Sequence, residues 1–491
     1  MAARVAPLVA QPRGLLVAAA VASVAFVPLT LRAPMLALAL PAGVLALVAV
    51  ARLDPRYAIA GVLAFLPVQE LVVSHAPGPA ALAVRYGPEL VLDVLLLVVV
   101  ARRPAEIWRR LGPIALPLGA LLAFWILTAL WNALPASTAV VGLRSELRFL
   151  PLLVLPLVAR HPRRDARLYA QVIVFSAAAQ AVVALVELVG GPGVRSALAP
   201  RYDLVLGGVS VGKAGPPLDS IFGTFGNRNL LGLFLALAWI ILAAAGSREV
   251  GLRPRVGLAV GWLIVVAVVG SASREGAIAL AVGAGVVGIV RWGRSLVRMA
   301  LFASAAFVLA GLWLAPVAPS ASLIDSGSVF QRWQSVFTPV AWQPDTNFRL
   351  RLLINNAKLA ASDAPLFGYG IGTATDPRLL ADFSSPVYRS FPGLERAVLP
   401  FLSDGNWAIL VIEAGFTGLA LLALLLSALI ALGLATRDLH WAGLALAAVV
   451  PAVLVLGFFT SALQQRPASA VLWLLVGLTL AVRSRWEGGV R

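Results

Sequence analysis

Hydrophobic residues run along this chain in long blocks that are separated by short polar stretches. Most blocks cover roughly 17–25 residues, the length that an α-helix needs to cross the hydrocarbon core of a bilayer, whereas the strands of a membrane barrel alternate over only about 10 residues. The pattern predicts an all-α, polytopic integral membrane protein with about 12–14 transmembrane helices. The fourteen predicted spans are 14–31, 33–50, 57–73, 87–101, 113–133, 143–159, 168–190, 229–246, 255–271, 275–291, 297–317, 406–434, 441–460 and 468–483.

One long polar stretch, at about 319–405, interrupts this pattern. It is the only segment between predicted spans that is long and polar enough to host chemistry. It also carries aromatic and charged residues of the kinds that bind sugars and phosphates. We therefore divide the chain into an N-terminal transmembrane bundle (1–318), a large loop with interfacial helices (319–405) and C-terminal transmembrane helices (406–491).

The composition agrees with a membrane protein, since 60% of the residues are hydrophobic and only 12% are charged. The formal net charge of +17 would suit a nucleic-acid-binding protein, but the distribution of the charge argues against that function. With a cytoplasmic N-terminus, more than half of the 39 Lys and Arg residues fall in short cytoplasmic loops, as the positive-inside rule requires. We therefore predict that both termini are cytoplasmic, that the large loop is extracytoplasmic and that no nucleic acid binds.

Few residues in this chain are suited to metal or disulfide chemistry. Cysteine is absent, and the three histidines, His75, His161 and His440, are scattered along the sequence. A disulfide, a thiolate site and a histidine metal cluster are therefore not expected. We predict a protein that uses neither a metal nor another cofactor.

Several basic residues are not explained by the positive-inside rule, because they lie on the predicted outer side. Arg274 occupies a very short turn between two apolar spans, where an ionised group normally has a partner or faces a wet cavity. It either pairs with Glu275 or reaches the headgroups, or it joins other arginines in an anion site, since the guanidinium fork matches phosphate oxygens. The basic residues concentrated on this side are Arg144, Arg148, Lys213, Arg228, Arg274, Arg349, Arg351 and Lys358.

The large loop contains an amphipathic run, 348–358, that follows the helix-capping sequence 345–347. The run predicts a helix along the membrane surface, with positions 350, 353, 354 and 357 on its apolar face. This helix is either an ordinary interfacial helix or one that presents polar side chains to a ligand. The glycines of the following stretch, 363–372, either let the backbone approach a ligand closely or simply form turns.

Two carboxylates flank the start of the predicted span after the loop. Asp404 stands at its outer mouth, and Glu413 lies about two and a half turns inside it. Asp404 is either a helix cap or a functional group, and Glu413 is either a buried structural carboxylate or a substrate contact. Glu70, Asp93 and Glu187 also lie within or near spans, which keeps a transporter open as an alternative function.

Three segments carry a resemblance when they are taken together and in order. Residues 223–230 read Gly-Thr-Phe-Gly-Asn-Arg-Asn-Leu, and residues 273–276 read Ser-Arg-Glu-Gly. Residues 351–372 end in Asp-Ala-Pro-Leu-Phe-Gly-Tyr-Gly-Ile-Gly and are followed by Asp-Gly-Asn at 404–406 and Glu-Ala-Gly-Phe-Thr-Gly at 413–418. Arranged around one large outer loop, these segments resemble the bacterial O-antigen ligase and O-antigen polymerase superfamily.

The resemblance implies an all-helical, metal-independent membrane glycosyltransferase in the bacterial inner membrane. Its donor would be an undecaprenyl-pyrophosphate-linked glycan. The acceptor would be lipid A-core in a ligase and a further lipid-linked repeat unit in a polymerase. The bilayer and a chain-length regulator are the other partners that it suggests. A lipid-linked oligosaccharide flippase is the alternative from another functional class.

Two departures from the family pattern bear on the reaction. Ligases carry a histidine at the start of the span after the loop, where this chain has Ser403, Asp404 and Gly405. An arginine that usually precedes the Gly-Thr-Phe segment is also missing, and Arg228 replaces the usual proline. The first departure favours a polymerase-like enzyme.

The resemblance also suggests roles for individual side chains. We expect Arg274 to stabilise charge on the pyrophosphate and Asp404 to orient or deprotonate the acceptor hydroxyl. Asn406 and Asn229 would hydrogen-bond the substrate or brace the loop. The residues predicted to bind substrate are Arg351, Arg349, Arg228, Asn229, Arg148, Asn406 and Glu413.

Overall fold

The computed structural model describes residues 54–76, 79–199, 202–206, 209–214, 221–293, 348–382, 384–390 and 405–489. Within these ranges the chain forms sixteen α-helices, three short 3₁₀ helices and one β-hairpin. Asp404 and the predicted spans 14–31, 33–50 and 297–317 lie outside the described residues. The helices are α1 (Pro55–Phe65), α2 (Gln69–His75), α3 (Pro79–Arg102), α4 (Pro104–Trp131), α5 (Ala136–Leu147), α6 (Pro151–Val154), α7 (Pro162–Leu198), α8 (Arg228–Ala245), α9 (Pro254–Gly270), α10 (Arg274–Trp292), α11 (Phe348–Asp363), α12 (Pro377–Ala381), α13 (Val387–Ser390), α14 (Asn406–Thr436), α15 (Trp441–Leu456) and α16 (Arg466–Gly489).

The predicted all-α polytopic membrane architecture is confirmed. In the described part of the chain, six helical segments are long and apolar enough to cross a membrane by length and composition. Two shorter apolar helices, α9 and α15, stand beside them. The six segments are Pro55–His75, Pro104–Trp131, Pro162–Leu198, Arg228–Ala245, Asn406–Thr436 and Arg466–Glu487.

The predicted sixth span, 143–159, is not one continuous helix. Helix α5 ends at Leu147, the single turn of α6 follows, and a 3₁₀ helix covers Leu155–Val158. Pro151 and Pro156 explain the breaks, because proline has no amide hydrogen and its ring clashes with the preceding turn. Residues 149 and 151–157 of this broken segment are buried, and α6 and the 3₁₀ helix after it pack against α16.

A two-stranded antiparallel hairpin interrupts the helical pattern between α7 and α8. Strand β1 (Tyr202–Leu206) pairs with β2 (Val209–Ala214), with a register irregularity between Leu204 and Val205. The hairpin was not predicted from the hydrophobic pattern, although its valines and tyrosine are typical of strands.

Helix α8 lies at the centre of the bundle, and most of its residues are buried. It packs most closely on α10, where a Cβ atom placed on Gly232 would come within 2.5 Å of Ser273. A Cβ atom on Gly276 would likewise come within 2.5 Å of the Gly232 backbone. Small residues let membrane helices approach to backbone distance. This contact fixes the start of α10 beside the start of α8.

Helix α11 confirms the predicted helix within the large loop, but its buried face differs from the prediction. The buried positions are Leu352, Asn356 and Ala360, whereas the predicted apolar positions 350, 353, 354 and 357 are only partly buried. The Asn356 amide nitrogen donates to the Ala408 carbonyl at 3.1 Å, and the Ser390 hydroxyl donates to the Asn356 carbonyl at 2.7 Å. Because both ends of the amide are satisfied, a polar residue occupies the buried stripe that packs on α14.

Candidate active site

The start of α10 is a sharp, capped turn. Ala272 adopts a left-handed backbone conformation with φ of +51°, and the Ser273 hydroxyl caps the helix by accepting from the Gly276 amide at 3.0 Å. Arg274 is therefore the first residue of the helix and is half-buried, and Glu275 after it is almost fully buried. The turn holds a charged pair of residues against the core.

Glu275 joins three segments that are far apart in the sequence. Its Oε1 atom accepts from Arg349 Nη1 at 2.6 Å and from Asn229 Nδ2 at 3.0 Å. A buried carboxylate is costly unless it is paired and hydrogen-bonded, so these contacts fasten α8, α10 and α11 together. We call Glu275, Arg349 and Asn229 the junction cluster. Two of the predicted substrate-binding residues thus meet directly beside Arg274.

Arg228 and Arg351 lie at the starts of α8 and α11, the two helices that provide Asn229 and Arg349 of the junction cluster. Arg228 is the first residue of α8, next to Asn229, and the Asn227 side chain caps that helix. Arg351 lies one turn or less from Arg349 on α11, and its guanidinium carbon is 5.9 Å from the centre of the Phe348 ring, within the range of a cation–π contact. Sequence reasoning found these arginines but missed Glu275 as their organiser. The available signal in the sequence was the position of this acidic residue directly after Arg274.

The Gly-Thr-Phe segment builds the start of α8 through buried hydrogen bonds. Glu187 Oε2 accepts from the backbone amides of Phe222 and Gly223, both at 2.9 Å. The Thr224 hydroxyl donates to the Pro67 carbonyl at 2.6 Å. Gly226 then takes a left-handed conformation with φ of +65°, which favours glycine. The contacts of Glu187 therefore give this carboxylate a structural role.

Arg148 lies in a second group of charges, which we call the rim cluster. It comprises four arginines from α3, α5 and α16 around two glutamates from α2 and α3. Glu89 is buried and contacts Arg144, with Arg148 Nε and Arg466 Nε each 3.9 Å from its Oε1. Sequence reasoning did not foresee this group, since nothing local in the sequence pairs residues so distant. The members are Arg85, Arg144, Arg148, Arg466, Glu70 and Glu89.

Glu413 binds the glycine-rich turn that follows α11. Its Oε1 atom accepts from the Ala374 amide at 2.9 Å and from the Thr375 hydroxyl at 3.0 Å. Its own carbonyl accepts from the Gly370 amide at 2.8 Å. These contacts are those of a buried structural carboxylate, one of the two alternatives given for Glu413 above. The other alternative, a contact with substrate, stays a prediction.

The same turn docks on α5. A Cβ atom on Gly372 would lie 2.2 Å from the Thr138 carbonyl oxygen, and one on Gly142 would lie 2.4 Å from the Gly372 amide nitrogen. The Thr138 hydroxyl donates to Asp376 at 2.9 Å, and Asp376 also accepts from the Arg378 guanidinium. The segment 348–376 therefore touches the junction cluster at one end. At the other end it touches α5, the helix that leads into Arg144 and Arg148 of the rim cluster.

Asn406 braces the connection between α15 and α16. Its backbone amide donates to the Thr460 carbonyl at 3.2 Å, and its side-chain oxygen accepts from the Leu463 backbone amide at 3.4 Å. This connection leads directly into Arg466 of the rim cluster. These contacts are with the α15–α16 connection and not with the large loop, so bracing of the large loop stays a prediction. Contact of Asn406 with substrate remains a prediction.

Asp376 gives the loop docking a defined pH dependence. Burial raises the pKa of this carboxyl, but hydrogen bonds from Arg378 and Thr138 outweigh burial and hold the pKa below its ordinary value of 3.8. A lowered pKa stabilises the docked state fully above the ordinary value, and that stability disappears as the pH falls through the lowered value. We expect the turn to stay docked at neutral pH and to detach below about pH 4.

Hydrogen-exchange protection of residues 370–380 would measure this detachment. The Asp376→Asn variant should show weakened protection at neutral pH and little further loss in acid. The matched control is Asp382→Asn, which changes an exposed carboxylate at the end of α12. Equal protection in wild type and Asp376→Asn at neutral pH would refute the role of Asp376.

One comparison with known proteins identifies a family. Residues 259–396 match the family model described as O-antigen ligase. A comparison with curated proteins gave no match. The matched segment contains Arg274, Glu275, Arg349 and the docked glycine turn, so it includes much of the geometry described above. The predicted resemblance to the O-antigen ligase and polymerase superfamily is therefore confirmed over residues 259–396 of this membrane protein.

Proposed function

We propose that this chain is a membrane glycosyltransferase that joins an undecaprenyl-pyrophosphate-linked glycan to an acceptor glycan at the outer face of the bacterial inner membrane. The observation that carries the proposal is the junction cluster. It brings Arg349 and Asn229 to Glu275, the residue after Arg274 at the start of α10. Arg274, Glu275 and Arg349 lie within the segment that matches the family. Guanidinium groups fixed at one place are suited to the oxygens of a pyrophosphate.

In the proposed reaction, an acceptor hydroxyl attacks the anomeric carbon of the donor sugar. A new glycosidic bond forms, the bond to the pyrophosphate breaks, and undecaprenyl pyrophosphate leaves with the electron pair. Because this leaving group is a good one, catalysis depends mainly on positioning and on stabilising the developing negative charge. Arg274 stabilises that charge, with Arg349, Arg351 and Arg228 as supporting contacts.

The proton of the attacking hydroxyl requires an acceptor. In the proposal Asp404 takes it, because a carboxylate can act as general base where ligases have a histidine. Asp404 directly precedes Gly405, the residue that caps the N-terminus of α14. The first residue of that helix is Asn406, which contacts the connection between α15 and α16. The absence of the ligase histidine at this place is the reason that we favour a polymerase-like reaction.

Glu275 has a positioning role in this scheme. It holds Arg349 and Asn229 at fixed distances, so little reorganisation is needed when charge develops on the pyrophosphate. A ligase that transfers glycan to lipid A-core is the second candidate, and the family description O-antigen ligase covers it. Both candidates use the same donor chemistry and differ in the acceptor.

The decisive experiment uses the purified full chain in lipid nanodiscs with an undecaprenyl-pyrophosphate-linked repeat unit and no energy source. Longer lipid-linked glycans would support a polymerase. Glycan transferred to added lipid A-core would support a ligase. A parallel assay in sealed vesicles tests the flippase alternative. Movement of the repeat across the vesicle membrane without any new glycosidic bond would overturn the proposed function.

A further inference from the structure

The rim cluster lies outside the segment that matches the family, and it is not needed to hold the donor. We propose that its arginines bind the phosphate groups of the acceptor glycolipid, at a subsite separate from the donor pyrophosphate. This inference rests on the proposed function. It identifies the acceptor as a phosphorylated glycolipid whose phosphate groups bind to arginines of α3, α5 and α16.

The first argument concerns hydrogen-bond donors. Each guanidinium carries several N–H donors and no acceptor. Arg466 donates to Glu70 at 2.9 Å and Arg144 donates to Glu89. Arg85 and Arg148 approach carboxylate oxygens only at 3.9 Å. Arg148 Nε is buried without a hydrogen-bond partner among the described residues. Among the described residues, these arginines therefore keep guanidinium donors that the oxygens of a ligand can satisfy.

The second argument concerns orientation. The Glu89 side chain is only 7% exposed, whereas the side chains of Arg144 and Arg85 are 41% and 36% exposed. Glu70 is 24% exposed, and Arg466 and Arg148 are 17% and 16% exposed, so Arg144 and Arg85 are the most accessible side chains of the rim cluster. Glu146, which accepts from Gln464 at 2.5 Å, and Asp93 lie nearby. Asp93 is exposed, and the four carboxylates balance the four arginines in number, so anion binding depends on the exposed guanidiniums of Arg144 and Arg85 and not on net charge.

Arg144 is also supported by an aromatic ring. Its guanidinium carbon is 4.6 Å from the centre of the Tyr86 ring, a distance typical of a cation–π contact. A guanidinium held by a carboxylate on one side and a ring on another loses little further freedom when it binds. Such preorganisation strengthens a bidentate contact with phosphate oxygens.

The third argument comes from the chemistry of the acceptor. In a polymerase the acceptor is itself lipid-linked, and its attacking hydroxyl belongs to the glycan and not to its pyrophosphate. Its phosphates must therefore lie some distance from the donor pyrophosphate. The two clusters share no residue: the junction cluster joins α8, α10 and α11 at one end of the segment 348–376, and the other end of the segment packs on α5, the helix that carries Arg144 of the rim cluster. Helix α11 alone provides about 24 Å of that segment. Lipid A-core also carries phosphates, so the same subsite serves a ligase.

The test counts bound lipid by native mass spectrometry of the full chain, with the undecaprenyl-pyrophosphate-linked repeat as probe. Wild type should bind two equivalents. The double variant Arg85→Gln, Arg144→Gln changes only partly exposed side chains and should weaken one equivalent on the order of 10–100-fold. Arg349→Gln should weaken the other. The matched control Arg103→Gln removes a similarly exposed arginine that pairs with Glu106 and should leave both equivalents unchanged.

Two results would overturn the inference: a single equivalent bound by wild type, or unchanged binding of both equivalents by the rim double variant. Competition by lipid A-core for the rim-dependent equivalent would support the subsite and identify a ligase acceptor. Different results would refute the acceptor subsite and the proposed function. Rim-dependent binding without any glycosidic bond formation refutes the function alone. Glycan transfer with an unchanged acceptor KM in the rim variant refutes the subsite alone.

Discussion

Replacing Arg274 by alanine is expected to lower the rate of glycan transfer on the order of 10²–10³-fold, the usual loss when one well-aimed charge-stabilising donor is removed. The helix start that carries Arg274 is fixed by the Ser273 cap and by the backbone contact between Gly232 and Gly276. The substitution therefore removes the guanidinium from a rigid position. Initial rates with the lipid-linked repeat, and polymer length in cells lacking the native enzyme, measure the loss.

The Arg274→Lys variant separates charge from geometry. Lysine keeps the positive charge but lacks the planar fork, so an intermediate rate is expected. The matched control is Arg255→Ala, which removes an exposed arginine near the start of α9, at the opposite end of that helix from the turn. Wild-type polymer length with both Arg274 variants would remove this residue from catalysis.

Replacing Gly372 by alanine is expected to undock the glycine turn and to abolish most of the transfer activity. Gly372 has φ of +92°, a region that costs other residues about 1–3 kcal/mol. In addition, the new Cβ atom would lie 2.2 Å from the Thr138 carbonyl oxygen. Because that oxygen belongs to the backbone of α5, it cannot move aside as a side chain would. Hydrogen-exchange protection of 370–376 and the transfer rate should fall together.

A second glycine provides the control for this experiment. Gly191 also has positive φ, +68°, but a Cβ atom there meets nothing within 4 Å. Gly191→Ala therefore measures backbone strain without the steric clash. If Gly372→Ala and Gly191→Ala have equal effects on thermal stability and on transfer, then close docking of the turn on α5 does not matter for activity.

The helix bounds were predictable because apolar runs and their polar borders are local properties. The predicted spans 229–246 and 255–271 differ by one residue from α8 and α9. The sixth span was wrong, although the sequence contains the reason. Pro151 and Pro156 disrupt a helix regardless of hydrophobicity, and the apolar pattern alone does not reveal that disruption.

The candidate site was only partly predictable. The arginines were visible because charge is unusual beside membrane spans, and the structure brings Arg349 and Asn229 together on Glu275. Glu275 and Glu89 were missed as organisers, because the pairing of charges more than forty residues apart depends on tertiary packing. The buried face of α11 was misplaced for a related reason, since the amide of Asn356 is satisfied only in the folded protein.

The backbone contact between α8 and α10 has a consequence for how this protein can diverge in evolution. Any side chain larger than hydrogen at Gly232 or Gly276 collides with the neighbouring helix. The two helix starts must therefore keep their relative position, and a substitution in one of them must be compatible with the other. New glycan preferences in descendants of this chain are expected to arise from the loop and from the outer arginines, while the paired helix starts remain the invariant part.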